Sequence, residues 1–467
     1  MPYVLGIDAG SSTTAAAVSR IRGGTWTRPE PVELEPGSTA VPSVVYLAEH
    51  GELAVGDPPA GSPDGERKAR DFVGRVGDDV PVLVGGRSCT AEELTAVLAR
   101  WVVDRVTTGV GERPEAIVLA HPSGWGAYRR GLLHRALWEI GLGDAVLLPR
   151  AVAATESHAA RGFGGTTAAV YTLGGTSFEA TAVRATERGG FATVGLAQRL
   201  DEFGGAELDE ILAEHVRTVL GRSAVGGRSA GGSAPPDLRA ACARARRDLA
   251  VATETDVLVR SPAGPVRIPV TRAEYEEMIR PALRTTVDLL DRAVRWAGLA
   301  PDQLDGVLLA GGSARIPLLT ELLTARFPGP VQVQAEPRTT AATGAALAGC
   351  QVAARSTGVR PARPAPRSPA PDRRHDPADR HGVAPADQAH HGAVPDRYGN
   401  ELAHRRAGTL DRYPDEARHG DPTRYPADTG YGDDAPEPPP RPPVRLAPLE
   451  LPKASRLALV RGRGRAE

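Results

Sequence analysis

Along the first 350 residues, apolar positions follow two rhythms. Short apolar or β-branched runs at Tyr3–Ile7, Val41–Leu47, Ala116–Leu119, Ala168–Leu173 and Gly306–Leu309 predict buried strands. Between them, apolar residues recur every three or four positions over Ala91–Val106, Tyr128–Ile140, Ala206–Leu220, Leu238–Leu249 and Arg272–Ala297, which predicts amphipathic helices. Strands interleaved with helices indicate an α/β architecture. The glycine- and serine-rich stretch Gly221–Ser233 reads as a surface insertion between two helices.

Both rhythms stop near Cys350. Residues 351–467 hold 19 of the 42 prolines and 6 of the 11 histidines, and apolar residues are sparse there until Leu446. Such a segment buries too little apolar surface to offset the entropy of ordering it, so a disordered tail is expected. Its Pro436–Pro443 run has polyproline character. The tail histidines, scattered among arginines and aspartates, read as solvating residues rather than as metal ligands.

Composition narrows the picture only a little. A chain of 467 residues accommodates two or three domains, and 41% hydrophobic with 24% charged residues is ordinary for a globular protein. With 57 acids against 56 bases, overall charge gives no reason to expect nucleic acid or an anionic membrane as partner. Lys68 and Lys453 are the only lysines, so arginine carries nearly all the positive charge. Cys89, Cys242 and Cys350 lie too far apart for metal-ligand spacing and suit buried packing in a reducing compartment. Tyr3–Ile7 follows Met1 without a basic flank or cleavage site, and no run of about eighteen apolar residues occurs, so a cytoplasmic protein with no membrane span is expected.

Three glycine turns carry the candidate chemistry. The first is Gly6-Ile7-Asp8-Ala9-Gly10-Ser11-Ser12-Thr13-Thr14, between two strands; the second is Leu173-Gly174-Gly175-Thr176-Ser177, where a strand enters paired glycines and continues as a strand; the third is Ala310-Gly311-Gly312-Ser313-Ala314-Arg315, leading into a helix. Glycine lets backbone approach a phosphate, and small hydroxyl residues leave donors in the turn. Asp8 beside such a turn implies a cation between carboxylate and phosphate. Arg315 could lie flat on a planar base. The plain alternative is a set of tight turns kept for packing between lobes.

In this order the segments resemble the first phosphate, second phosphate and adenosine motifs of the seventy-kilodalton heat-shock chaperones. Val41–Tyr46, Leu119-Ala120-His121-Pro122 and Phe203-Gly204-Gly205 resemble intervening segments of that family. The resemblance covers about residues 1–350 and implies a two-lobed actin-like ATPase fold of ribonuclease-H-like type, with lobes at about 1–165 and 166–350. No substrate-binding β sandwich follows; the tail at 351–467 takes its place. It further implies ATP or ADP, with Mg2+, in the cleft. The implied nucleotide-binding residues are Gly10, Ser11, Ser12, Thr13, Gly174, Gly175, Thr176, Ser177, Gly204, Gly205, Arg246, Gly311, Gly312, Ser313 and Arg315. Asp8 is the implied catalytic and metal-facing residue, directly or through water.

Departures fall at the chemistry. The family carries a lysine, a glutamate and two aspartates around the γ-phosphate. Asp8 matches the first aspartate, but Thr172 stands for the second, Arg150 for the glutamate and Ala60 for the lysine; Lys68 follows eight residues too late. On the adenosine side Ala243, Arg246 and Ala250 stand for a glutamate, a lysine and a serine, and Arg338 for an acid. Arg150 could act as a built-in cation in place of metal and lysine. The readings left open are a chaperone-family ATPase of slow or lost turnover, a pseudo-ATPase switch or scaffold whose proline-rich tail recruits a protein partner, and, more distantly, a sugar kinase.

Overall fold

The computed structural model describes residues 2–57, 67–223, 236–261 and 264–357. Ala60, most of the Gly221–Ser233 stretch and the tail beyond residue 357 lie outside the described residues. All of the described residues belong to one compact unit, Met1–His390; the second unit, His391–Glu467, lies outside them.

Strands β1 (Tyr3–Ala9) and β2 (Thr13–Arg22) form an antiparallel hairpin around the first glycine turn. Strand β3 (Ala116–His121) adds parallel to β1, and β4 (Val146–Pro149) parallel to β3. The same scheme recurs downstream. Strands β5 (Thr167–Leu173) and β6 (Ser177–Ala185) form a hairpin around the second glycine turn, and β7 (Phe191–Asp201) extends it antiparallel. Strands β8 (Gly306–Ala310) and β9 (Val331–Val333) then add parallel beside β5. The order is therefore β4–β3–β1–β2, with short strands beyond β2, and β7–β6–β5–β8–β9. This mixed α/β arrangement of two like halves agrees with the expected fold class.

Both central strands are covered on two faces, which is why they read as continuous apolar runs. On β1, Tyr3, Leu5 and Ile7 pack with α1 (Ala91–Val110) and α2 (Ala127–Glu139). On β5, Tyr171 and Leu173 pack with α4 (Gly205–Ser223), α5 (Pro236–Leu249), α6 (Arg272–Trp296) and α7 (Pro317–Arg326). The opposite faces carry two helices that change places between the halves. Helix α3 (Arg150–Ala159) packs through Ala151, Val152 and Ala154 on Ala168 and Val170 of β5 and Leu308 of β8. Helix α8 (Thr340–Thr357) packs through Ala342, Ala346, Cys350 and Ala353 on β1 and β2. Its small residues permit this approach: a Cβ at Gly6 would stand 2.2 Å from the Ala346 amide nitrogen.

Local chemistry fixes the helix ends. Thr90 accepts from the Glu93 amide at 3.2 Å to open α1, and Gly111, at φ 89°, closes it. Thr271 and Glu274 form a capping box on α6. The run Val41–Leu47 is two short strands rather than one, Ala40–Pro42 on β2 and Val45–Leu47 on Leu53–Val55. Pro42 has no amide to continue a ladder, and the chain changes partners there. The three cysteines are free and buried. No helix among the described residues is long and apolar enough to cross a membrane.

Candidate nucleotide site

The glycine turns of both halves meet. Gly10 donates to the Thr13 carbonyl at 3.0 Å, and Ser43 Oγ donates to the Gly10 carbonyl at 2.7 Å, tying the first turn to the neighbouring segment. In the second turn, Gly174 donates to the Ser177 carbonyl at 2.9 Å and accepts from the Gly205 amide at 3.0 Å; Gly175 accepts from the Ala206 amide at 2.7 Å. The third turn closes on the second through the Ser313 amide to the Leu173 carbonyl, 3.1 Å, and Ser313 Oγ to the Gly174 carbonyl, 3.0 Å. Gly311 holds φ 89°, and a Cβ there would stand 2.3 Å from the Leu173 oxygen, so only glycine fits. The first and second turns touch as well, a Cβ on Gly175 falling 2.3 Å from Ser12 Oγ.

These bonds occupy carbonyls and leave amides. The N–H groups of Ser11, Ser12, Gly175 and Thr176 donate to nothing among the described residues. Successive free amides in a turn make an anion-binding concavity. They border a cavity of about 270 Å3 lined by Asp8, Gly10–Thr13, Gly174–Ser177, Arg246, Gly311–Ser313 and also Arg150, Thr172, Asp209, Arg247 and Arg338. An adjoining cavity of about 300 Å3 shares Arg246, Arg247, Gly312, Ser313 and Arg338, and adds Ala250 and Arg315.

Charged side chains stand around both spaces. Arg150, at the start of α3, donates from Nε to Asp8 Oδ1 at 2.8 Å and from Nη2 to the Ala9 carbonyl at 3.1 Å. Burial opposes the charge of Arg150, but Asp8 and Glu179 outweigh it and raise its pKa further. Glu179 is buried opposite Thr172 in the β5–β6 register, and its two carboxylate oxygens accept from the Ser123 amide at 3.1 and 3.0 Å. Arg246 reaches Asp209 at 2.7 Å and Ser313 Oγ at 3.2 Å; burial lifts the pKa of Asp209 despite this partner. Arg338 forms no hydrogen bond or ion pair among the described residues, and burial followed by the charge of Arg247 lowers its pKa.

Most residues singled out in the sequence therefore line one of these spaces. Gly204 and Gly205 line neither and instead buttress the second turn. Lys68 is not at the site: it pairs with Asp57 at 3.5 Å. Ala60 lies outside the described residues. Asp209, Arg247 and Glu179 escaped sequence reasoning. None of the three lies within a glycine turn, so residue type and order did not mark them.

Among the described residues a divalent cation finds no fitting set of ligands. Asp8, expected to face a cation, faces the Arg150 guanidinium. Asp209 is engaged by Arg246, and Thr172 offers a hydroxyl where a carboxylate would be needed. Among the described residues no three His, Cys, Asp or Glu side chains gather as a metal group.

Comparison with known proteins follows the geometry. Residues 76–360, more than half of the chain, match the family described as Hsp70 protein. The chaperone protein DnaK of Elusimicrobium minutum (strain Pei191) is 25% identical over 359 residues, which cover 74% of this chain and 57% of that relative. The chain thus spans little more than half the length of the relative it matches.

Proposed function

The chain belongs to the Hsp70 family, and from that premise we propose that its cleft binds an adenine nucleotide while hydrolysis is very slow or lost. The observation that carries the reading is the set of four unpaired amides, Ser11, Ser12, Gly175 and Thr176, which border one cavity from the two glycine hairpins. Phosphate oxygens would accept from them. The nucleoside would lie in the adjoining space, where Arg315 and Arg247 offer planar faces for a base.

Hydrolysis needs neutralised charge at the γ-phosphate and a group that positions water. Thr172 cannot supply a carboxylate, and Arg150 holds Asp8 in an ion pair. Losing one well-placed electrostatic group commonly costs about a hundred- to a thousandfold in rate. A protein that binds without turning over would serve as a nucleotide-responsive switch or scaffold, with partners engaged through segments outside the described fold. The sugar-kinase reading is disfavoured, because both carboxylates lining the cavity, Asp8 and Asp209, are already held by arginines.

A ligand that binds only the native state raises stability by about 2.7 kcal/mol at a hundredfold excess over its Kd. Millimolar ATP or ADP should therefore raise the melting temperature; an unmoved melting temperature refutes the binding reading. Turnover of labelled ATP at the rate of an ordinary chaperone ATPase, abolished by Asp8→Ala, refutes the loss of hydrolysis.

A further inference from the structure

The Arg150 guanidinium lies against Asp8 in the wall of the cavity that the first two glycine turns border. Nε and Nη2 are fixed on Asp8 and on the Ala9 carbonyl, the side chain is 8% exposed, and Nη1 makes no hydrogen bond among the described residues. The same side chain lines the 270 Å3 cavity together with the glycine turns. An arginine in this setting is not a mobile surface charge. It is a cation built into the wall, with one edge committed to the protein and one nitrogen left over beside the phosphate turns.

The charge of the whole lining agrees. It comprises two carboxylates, Asp8 and Asp209, and four guanidinium groups, Arg150, Arg246, Arg247 and Arg338, which leaves two positive charges uncompensated. Such a wall attracts a free polyanion and repels a dication. A phosphate chain entering with its own metal would bring that metal against Arg150, because Asp8, the carboxylate that should receive it, is already bonded.

We infer that Arg150 stands in for the divalent cation, so that the site takes the metal-free form of a nucleoside polyphosphate rather than its metal complex. The inference rests on the nucleotide reading above and gives it an unusual sign. For a site that uses a bound metal, chelation weakens nucleotide binding. Here chelation strengthens it, because complexed nucleotide must first release its metal. The apparent Kd rises as the reciprocal of the competent fraction, about tenfold when about nine-tenths of the ATP carries Mg2+.

The test is calorimetric titration of the full chain with ATP, once in EDTA and once in excess Mg2+. Binding in EDTA that is tighter than in Mg2+ supports the inference, and binding that requires Mg2+ overturns it. No binding in either buffer refutes the nucleotide reading itself, so the two failures are distinct. Arg150→Gln should weaken binding in EDTA by about ten- to a hundredfold, the range of a lost charge-assisted hydrogen bond; unchanged binding overturns the role given to Arg150. Arg150→Glu should reverse the preference, so that ATP binds only with Mg2+. Since either change removes the guanidinium partner of Asp8, the double variant Asp8→Asn with Arg150→Gln leaves no unpaired charge from the ion pair. Folded by circular dichroism, it should show the same loss in EDTA, and full binding by it also overturns the proposal.

Discussion

His121 and His158 show how single side chains record their surroundings. His121 is 2% exposed, stacks on Trp125, and points Nδ1 at the Pro122 carbonyl, 2.8 Å away. His158 sets Nε2 against the Leu309 carbonyl at 3.1 Å. Burial lowers the pKa of each to about 4, with Arg130 and Arg150 pushing the same way at His121 and Arg161 at His158. Because the folded pKa lies below the unfolded one, the unfolded chain takes up protons first as pH falls. Stability is then complete above about pH 6.5 and drains away toward pH 4. By pH 5 each histidine should cost about 2 kcal/mol. Urea midpoints at pH 7 and pH 5 measure the loss, and His158→Gln should remove roughly half of it. A second residue-scale prediction concerns Gly312, which lines both cavities. A Cβ there would meet only the flexible end of Arg338, at 3.2 Å. Gly312→Val should thus abolish the melting shift given by ATP while leaving the melting temperature without ligand nearly unchanged. The glycine and hydroxyl residues of the site were legible because their types and order carry the chemistry directly. Asp209, Arg247 and Glu179 were not, because an ordinary charged residue becomes part of a site only when folding aims it there. Arg150 was visible as a departure, but its bond to Asp8 spans 142 positions and no local pattern reports it.

At the scale of elements, five helices were read to within four residues of their ends, α7 only as a helix opened by the third turn, and the helices built from small residues were not bounded. Arg272–Ala297 differs from α6 by a single residue, since its apolar stripe and capping box mark both face and start. Helices α3 and α8 escaped the reading, α3 being only ten residues long and both facing their neighbours largely with alanine. Their packing depends on that smallness. Where they cross, a Cβ on Gly344 would stand 1.6 Å from the Ala153 carbonyl oxygen. Backbone cannot yield as a side chain can, so Gly344→Val should destabilise by about 3 kcal/mol or more. Gly131, inside α2, supplies the opposite case, with nothing within 4 Å of its Cβ position. Gly131→Ala should stabilise by up to about 1 kcal/mol through helix propensity and the reduced freedom of the unfolded chain. Chemical denaturation of the two variants side by side checks both signs. Strand β6 was read as the continuation of the second turn, whereas β7 was missed, because its part-buried and exposed residues, Leu196 among them, show no clean apolar alternation.

At the scale of the molecule, the exchange of α3 and α8 closes the described fold on itself. Each half completes the other's second face, with α3 on β5 and β8 and α8 on β1 and β2. Residues 358–467 have a composition unsuited to a core of their own, and the arginine-flanked Pro436–Pro443 run suits docking, since a preformed extended helix loses little entropy on binding. We therefore propose that the tail recruits a partner and contributes neither to stability nor to nucleotide binding. A chain cut after Thr357 should melt within a degree or two of the full chain and keep the same shift with ATP. A lower melting temperature would mean that part of the tail belongs to the core, and a lost shift that it reaches the cleft. With the core intact, affinity capture by the full chain is compared with capture by a chain lacking residues 430–467. Partners that disappear on removal of this segment assign recruitment to it, whereas an identical set of captured proteins makes the segment a passive spacer.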